Sequence, residues 1–215
     1  MDCPLCNCQK HILFHSDQSR IYRQCQECHF VFVPAKYYLS SAAEKTIYDK
    51  HQNDPTDAGY RNFLSRLATP LLTKLTSASQ GLDFGCGPGP TLSLMMEEAG
   101  HQVELYDKFY APHEAIWNHH FDFITATEVV EHLHNPGLVL SRLWACLRPG
   151  GYLGIMTKLV TSPEAFSQWH YKNDLTHVGF FSRETWRFWA LARGAELEFF
   201  QNDVILLRQT KCMVL

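Results

Sequence analysis

The sequence lacks any apolar run long enough for a membrane helix, which needs about 20 residues. Its first residues, Met1-Asp2-Cys3-Pro4, contain neither a basic nor an apolar stretch, so we expect no signal peptide and a soluble, cytoplasmic protein without membrane partners. An excess of one charge is also missing. The 19 Lys and Arg residues against 22 Asp and Glu residues give a formal charge of −3, without the basic block typical of nucleic-acid binding.

Disorder and low complexity are excluded by the composition. Hydrophobic residues make up 46% and charged residues 19% of the chain, values that are ordinary for globular proteins. A length of 215 residues suits one domain of usual size with a small addition.

Cysteine is concentrated near the start of the chain. Five of the eight cysteines are Cys3, Cys6, Cys8, Cys25 and Cys28. Because we expect no export signal, metal binding explains them better than disulfides do. Two CxxC pairs, separated by 18 residues, can place four thiolates around a tetrahedral zinc ion. The spacing predicts a zinc-ribbon-like segment over residues 1–35, with structural Zn²⁺ held by Cys3, Cys6, Cys25 and Cys28.

Two alternatives to this zinc site stay open. The ribbon could have lost its metal, which would leave Cys8 as a spare thiol. Cys8 or His29 could also replace one of the four predicted ligands.

Residues 36–80 are predicted to be a helical connector. A first helix is expected around residues 42–51. Apolar residues at three- and four-residue spacing then indicate an amphipathic helix, from Tyr60 to Leu75. Thr69-Pro70 predicts a break, with Thr69 as the N-cap of a second helix and Pro70 at its first position.

Residues 81–215 alternate between strand and helix patterns, which predicts an α/β domain with a mostly parallel sheet. A helical segment is expected over residues 128–133. The turn signal Gln201-Asn202-Asp203 predicts a C-terminal antiparallel hairpin between strands 196–200 and 204–209.

A glycine-rich turn, Gly85-Cys86-Gly87-Pro88-Gly89, joins the first strand of this domain to its first helix. Such a turn lets a nucleotide-like cofactor approach bare backbone at the carboxyl edge of the sheet. The dinucleotide fingerprint GxGxxG would need glycine at position 90, where this chain has Pro90. Asp107 ends the next strand, where it can accept hydrogen bonds from ribose hydroxyls.

Four blocks of residues resemble the class I S-adenosylmethionine-dependent methyltransferases, which have a Rossmann-like sheet. The blocks lie in the order of that family, and they are residues 82–89, Tyr106-Asp107, residues 121–133 and residues 147–153. The resemblance implies that S-adenosylmethionine is the cofactor. It implies contacts to the methionine part from Asp83, Gly85, Cys86, Gly87 and Gly89, to the ribose from Asp107, and near the sulfonium from Thr127 and Glu128.

The chain departs from the family between Asp107 and Phe121. Only 13 residues lie there, and Pro112 is among them, so a crossover helix followed by a third strand does not fit. With strands numbered as in the family, we predict the order 2-1-4-5-7-6, with strand 3 reduced or absent. The usual acidic contact to adenine is then missing, and we expect Phe109, Tyr110 or the pair His119-His120 to stack on adenine instead.

Histidines near the carboxyl edge are the candidate bases. His132 follows the fourth family strand, and His170 and His177 flank Asp174 in a loop that follows the next strand. A carboxylate near an imidazole can fix its tautomer and raise its basicity. We predict catalytic roles for His132, His170, Asp174 and His177. Helix capping or packing is the alternative for His132, and a second metal site or a packed structural loop is the alternative for His170, Asp174 and His177. The aromatic residues of the loop are expected to exclude water, and they are Trp169, Tyr171, Phe180 and Phe181.

Three functions are compatible with these patterns. The leading interpretation is methyl transfer to a small-molecule or metabolite-like acceptor. The second is RNA methylation, with the zinc ribbon gripping nucleic acid, but residues 1–50 contain six basic against five acidic residues and offer little attraction for phosphate. The third is a non-catalytic scaffold that binds S-adenosylmethionine, which leaves the histidine-rich loop without a role.

Overall fold

The computed structural model describes residues 1–50 and 53–210. Their strands and α-helices, in chain order, are β1 (His11–Ser16), β2 (Ile21–Cys25), β3 (Val31–Phe32), α1 (Ser41–Tyr48), α2 (Ala58–Leu72), β4 (Gln80–Phe84), α3 (Thr91–Glu98), β5 (Gln102–Tyr106), β6 (Phe121–Thr127), α4 (Pro136–Ala145), β7 (Leu147–Met156), α5 (Pro163–Ser167), β8 (Gly179–Phe180), α6 (Arg183–Arg193), β9 (Glu196–Phe200) and β10 (Val204–Arg208). None of the helices in these two ranges is long and apolar enough to cross a membrane.

The larger sheet has six strands in the order β5-β4-β6-β7-β10-β9. Strands β5, β4, β6 and β7 run parallel, and β10 is antiparallel to both of its neighbours. This is the predicted order, so the predicted α/β class with a C-terminal hairpin is confirmed. Between β5 and β6 the chain forms a 3-10 helix, Glu114–Asn118, and a single bridge between Asp107 and Ala111. The third family strand is absent from this segment.

Helices cover both faces of this sheet. On one face, α2 and α3 pack their apolar stripes against Phe123, Met156 and Leu206. On the other face, α4 and α6 bury Leu140, Leu143, Trp186 and Trp189. Because both faces are covered, the carboxyl edge of the parallel strands is the place left for a ligand.

The smaller sheet joins the N-terminal segment to the rest of the chain. Its order is β1-β2-β3-β8, and β8 comes from the loop after β7. The sequence did not predict this pairing, because β8 contains only two residues. The N-terminal segment also contacts α4, where the Gly137 N–H donates to the Pro4 carbonyl over 3.1 Å. A Cβ atom on Gly137 would lie 2.3 Å from the Leu5 oxygen, so only glycine allows this close approach.

Two local predictions were wrong. Helix α2 continues through Pro70, where two helices were expected. Pro70 lies in the last turn and removes one N–H donor, while the buried stripe of Leu64, Leu67 and Leu71 continues past it, so packing outweighs the local break signal.

The second wrong prediction is the helix over residues 128–133. Glu128 has a left-handed backbone with φ of +53°, and only Val130–His132 form a 3-10 turn. The expected helix around residues 42–51 corresponds to α1, which ends at Tyr48. Position 51 of that helix and positions 211–215 of the predicted cofactor domain lie outside the described residues.

Candidate active site

A cavity of about 460 Å³ opens at the carboxyl ends of β4, β5 and β6. This size is within the range of small-molecule sites, and this position is where ligands bind to open α/β sheets. The structure brings most of the predicted site residues to its wall. These are Asp83, Gly85, Cys86, Gly87, Gly89, Asp107, Thr127, Glu128, His132, Asp174 and His177.

The glycine-rich turn forms one wall and needs its glycines. Gly85 and Gly87 have φ values of +76° and +63°, which side-chain-bearing residues rarely adopt. A Cβ atom on Gly85 would lie 2.5 Å from the Val129 side chain, and one on Gly89 would lie 2.1 Å from the Asn53 oxygen. Glycine is therefore required at these two positions by the close packing of Val129 and the Asn53 backbone against the turn.

Two aspartates flank this turn. The Asp107 carboxylate accepts backbone N–H groups of Phe109 at 2.7 Å, Tyr110 at 3.1 Å and Gly87 at 3.2 Å, which fix it at the end of β5. Asp83 is buried, and its Oδ1 accepts from the Thr125 hydroxyl over 2.9 Å. Burial raises the pKa of Asp83 to about 6.

Burial also determines the protonation state of the Cys86 thiol. It raises the pKa of Cys86 to about 12, and the nearby Asp83 and Asp107 charges act in the same direction. The thiol therefore stays protonated at neutral pH and is a wall of the cavity, not a nucleophile.

Glu128 occupies a strained position at the end of β6. Its left-handed backbone is uncommon for a residue other than glycine, and its N–H donates to the Met156 carbonyl over 2.8 Å. Oε2 accepts from the Tyr171 hydroxyl over 3.2 Å, while Oε1 is buried without a hydrogen-bond partner among the described residues. An unsatisfied carboxylate oxygen in a cavity wall suits a ligand that brings a donor or a positive charge.

Glu131 lies behind this wall and is completely buried. Its carboxyl group contacts the hydroxyls of Thr157 and Tyr171. Burial, followed by repulsion from Glu128, raises the pKa of Glu131 to about 8. At neutral pH Glu131 is therefore mostly protonated, and it can donate as well as accept within this cluster.

His132 and His177 face each other across 4.5 Å between ring centroids. Nδ1 of His177 is 2.7 Å from the Tyr171 carbonyl, and Nδ1 of His132 is 3.3 Å from the Thr176 carbonyl. Because a carbonyl can only accept, these contacts place the proton of the neutral ring on Nδ1 and leave Nε2 as the basic atom. Burial lowers the pKa of His177, so this ring is neutral at pH 7.

Asp174 is held close to His177. Burial alone would raise its pKa, but hydrogen bonds from the Thr176 hydroxyl and N–H hold the pKa of Asp174 below its ordinary value. Its Oδ2 lies 3.9 Å from His177 Nε2, so a charged carboxylate is available to stabilise a proton on that ring.

His170 lies apart from these groups. Its ring is exposed, contacts Lys158 over 3.2 Å and does not line the cavity. A 3-10 turn over His170–Asn173 directs the buried Tyr171 inward and His170 outward. Phe180 and Phe181, expected in the roof, are core residues of the two sheets.

The first two helices supply a wall that the sequence did not predict. Tyr48 of α1 and the α2 residues Tyr60, Phe63 and Leu64 line the cavity. Helix α1 is held there by the buried Glu44, whose carboxylate accepts from Lys108 Nζ over 2.7 Å and His134 Nε2 over 2.8 Å. The apolar spacing of residues in α2 predicted a helix at these positions, but it did not indicate that the helix lines a ligand cavity.

The short segment after Asp107 supplies another part of the cavity wall. Phe109 and Tyr110 line the cavity, and Lys108 lies beside them. The other two residues expected to stack on adenine do not line it. His119 instead pairs with Glu104 over 2.9 Å.

A separate cysteine cluster lies in the N-terminal segment. The Sγ atoms of Cys3, Cys6, Cys25 and Cys28 lie within 4.8 Å of one another, and the Cys3–Cys28 and Cys6–Cys25 pairs are 3.6 Å apart. Four thiolates around zinc, with Zn–S near 2.3 Å, are about 3.8 Å apart in a tetrahedron. After each CxxC pair the chain turns through a left-handed residue, with φ of +61° at Asn7 and +58° at His29. The donor set and its spacing fit Zn²⁺.

Comparison with known proteins identifies the fold and the family. The family model described as a methyltransferase domain matches residues 56–198, which include the glycine turn, Asp107, Glu128 and both cavity histidines. The chain belongs to this methyltransferase family. It is accordingly an S-adenosylmethionine-dependent methyltransferase, as the four sequence blocks implied. No curated protein matches the chain.

Solved structures share the fold at low sequence identity. An S-adenosylmethionine-dependent methyltransferase from Archaeoglobus fulgidus has 17% identity and a TM-score of 0.54, over 77% of this chain and 99% of that chain. Magnesium protoporphyrin IX methyltransferase from Synechocystis has 12% identity and a TM-score of 0.53, over 81% and 97%. The 1,6-didemethyltoxoflavin N1-methyltransferase from Burkholderia thailandensis has 16% identity and a TM-score of 0.51, over 92% and 98%.

The protonated state of Glu131 predicts a pH-dependent stability. The folded methyltransferase keeps a proton that the unfolded chain loses near pH 4.5, so this group's contribution is complete below that pH and is lost as pH rises towards 8. Glu131→Gln stays neutral at every pH. Its unfolding free energy should therefore rise relative to wild type between pH 5 and 8, by up to about 1.4 kcal/mol per pH unit. Urea unfolding at pH 5, 6.5 and 8 measures this difference.

The exposed Glu184 provides the control. Glu184→Gln should show a constant, small difference from wild type over the same pH range. An equally constant difference for Glu131→Gln would show that Glu131 is ionised in the folded protein and would contradict this prediction.

Proposed function

We propose that this methyltransferase transfers the methyl group of S-adenosylmethionine to a small molecule, which enters the cavity beside His132, Asp174 and His177. The observation that carries the proposal is that the predicted cofactor residues and the two histidines line the same cavity. A single cavity runs from the glycine turn and Asp107 to two imidazoles whose Nδ1 atoms are bonded to carbonyls.

The residues of the cavity fit the cofactor. Gly85, Gly87 and Gly89 line the cavity and would let the cofactor approach the turn, and the acceptor oxygens of Asp107 would receive the ribose hydroxyls. The buried Glu128 Oε1 has no partner among the described residues, and Thr127 and Glu128 would border the positively charged sulfonium. Phe109 and Tyr110 would flank adenine. When bound, S-adenosylmethionine supplies an activated methyl group, so positioning and exclusion of water provide much of the rate.

His177 is the best candidate for the general base. An acceptor hydroxyl, carbon acid or protonated amine must lose a proton when it is methylated. Nε2 of His177 can take that proton, because its ring is neutral at pH 7 and Asp174 can stabilise the resulting charge. His132, packed against the His177 ring, would orient the acceptor.

A small acceptor fits better than RNA. The N-terminal segment, which would have to grip RNA, has nearly balanced charge over residues 1–50. The names of two structural relatives state a small organic acceptor, which is a didemethyltoxoflavin in one and magnesium protoporphyrin IX in the other. A scaffold without catalysis would not need a buried imidazole with a carboxylate beside it.

The direct test uses cell extract as the source of acceptors. Extract incubated with purified protein and S-adenosylmethionine labelled in its methyl group should yield a labelled small molecule, detected by mass spectrometry. His177→Asn keeps a side-chain N–H for the Tyr171 carbonyl but lacks the basic atom. For an acceptor that must lose a proton, this variant should lose about 10²- to 10⁴-fold in rate while keeping its affinity for S-adenosylhomocysteine and its melting temperature.

The matched control is His170→Ala, because His170 is exposed and lies outside the cavity. It should label the same product at the wild-type rate. Label found only in RNA would replace the small-molecule proposal. An unchanged rate in His177→Asn would remove the general-base role.

Zinc in the N-terminal segment is the second part of this proposal. Structural zinc sites commonly contribute folding energy. Protein purified without chelator should contain about one zinc per chain. Cys25→Ser should lose that zinc and melt at a lower temperature, whereas Cys8→Ser should keep it, because the Cys8 thiol does not belong to the group of four. Metal-free wild-type protein with intact cysteines would contradict the assignment.

A further inference from the structure

Arg20 is a buried charged residue of the N-terminal segment that the proposed chemistry does not use. Only 2% of its surface is exposed, and it directly precedes β2. Its Nε donates to the Tyr22 hydroxyl over 3.0 Å. A guanidinium at such depth costs much desolvation energy unless its N–H groups are satisfied with good geometry.

The N–H groups on Nη1 and Nη2 of Arg20 donate to the backbone of a single loop. Nη2 donates to the Lys172 carbonyl over 2.5 Å and to the Asp174 carbonyl over 2.8 Å, and Nη1 donates to the Leu175 carbonyl over 3.2 Å. These carbonyls lie more than 150 positions away along the chain. The planar guanidinium has fixed donor directions, so three carbonyls can meet it only in one arrangement of the loop.

The same loop carries the cavity side chains Asp174 and His177. Its shape decides where they lie, because the Thr176 N–H donates to Asp174 Oδ1 over 2.8 Å and the Tyr171 carbonyl meets His177 Nδ1. Asp174 lies within the segment that Arg20 binds, and Tyr171 and His177 lie on either side of that segment. A displacement of the Lys172–Leu175 backbone would therefore move the carboxylate and the imidazole together.

The far end of the loop is fixed separately. The Val33 N–H donates to the Val178 carbonyl over 2.9 Å, and the Val178 N–H donates to the Glu131 carbonyl over 2.8 Å. Strand pairing between β3 and β8 continues this attachment. Arg20 thus holds the middle of the loop, together with the Tyr22 hydroxyl, which lies 3.3 Å from the Lys172 carbonyl.

We propose that Arg20 is a positioning residue, which sets the places of Asp174 and His177 in the cavity by binding three carbonyls of their loop. On this basis the N-terminal segment is a structural part of the acceptor site. The proposal concerns the geometry of the loop, so it can be tested without knowing the acceptor and holds independently of which molecule is methylated.

The test compares two charge-preserving substitutions in the full-length protein. Arg20→Lys keeps the charge but cannot reach three carbonyls from fixed directions. Arg23→Lys is the matched control, since Arg23 lies on β2 and its Nη1 contacts the His11 ring, away from the loop. Hydrogen exchange measures the amides of Thr176 and His177, and nitrogen NMR of labelled histidine measures the Nδ1–H signal of His177.

In Arg20→Lys these two amides should exchange about 10- to 100-fold faster, and the His177 Nδ1–H signal should shift or broaden. Amides in the middle of β6, and affinity for S-adenosylhomocysteine, should stay as in wild type. Arg23→Lys should leave every one of these signals unchanged. Wild-type exchange and an unshifted His177 signal in Arg20→Lys would overturn the proposal. A uniform rise in exchange over the whole protein would also overturn it, since that result indicates general destabilisation only.

Discussion

The peptide groups of Val178 are the link on which the proposed acceptor site beside Asp174 and His177 depends. Its carbonyl accepts from Val33 in the N-terminal segment, and its N–H donates to Glu131 at the end of the large sheet. Each of the two sheets therefore constrains the loop that contains Asp174 and His177. Since a hydrogen-bonded backbone cannot shift at one end without breaking a bond at the other, the loop has little freedom to move away from the cavity.

Buried acidic groups determine the electrostatic potential inside the cavity. Asp83 and Glu128 line the cavity and have raised pKa values, and burial is the largest cause for both of them. Such a site disfavours further negative charge and favours a ligand that brings positive charge or donors. S-adenosylmethionine carries a sulfonium and an ammonium group, which suits this environment. The left-handed backbone of Glu128 is the local cost of placing its carboxylate there.

The sequence predicted the fold more completely than the site, and the reason differs between elements. Strands β4 to β7 and the hairpin have strong local patterns, and the 13-residue gap correctly predicted the loss of one strand. The predicted cofactor residues follow directly from strand ends, so their positions on the cavity wall could be anticipated. The helix break predicted at Thr69-Pro70 was wrong, because tertiary packing of α2 outweighs the local signal for a new helix.

The sequence patterns could not predict contacts between residues that are far apart along the chain. Arg20 looks like any surface arginine until the fold brings the carbonyls of residues 172–175 to it. His170 and His177 looked equivalent, and only the 3-10 turn and the β3–β8 pairing separate an exposed ring from a buried one. Strand β8, with two residues, is too short for any periodicity to reveal it.

The central claim is that the cavity holds S-adenosylmethionine with its ribose at Asp107. Calorimetry with S-adenosylhomocysteine tests this most directly, on the wild type, Asp107→Ala and the same-strand control Glu104→Ala, whose carboxylate pairs with His119. The wild type and Glu104→Ala should bind equally, and Asp107→Ala should bind at least about 10-fold more weakly, because it loses hydrogen bonds to a charged acceptor. Equal affinity in all three proteins, or no binding to the wild type, would contradict the account.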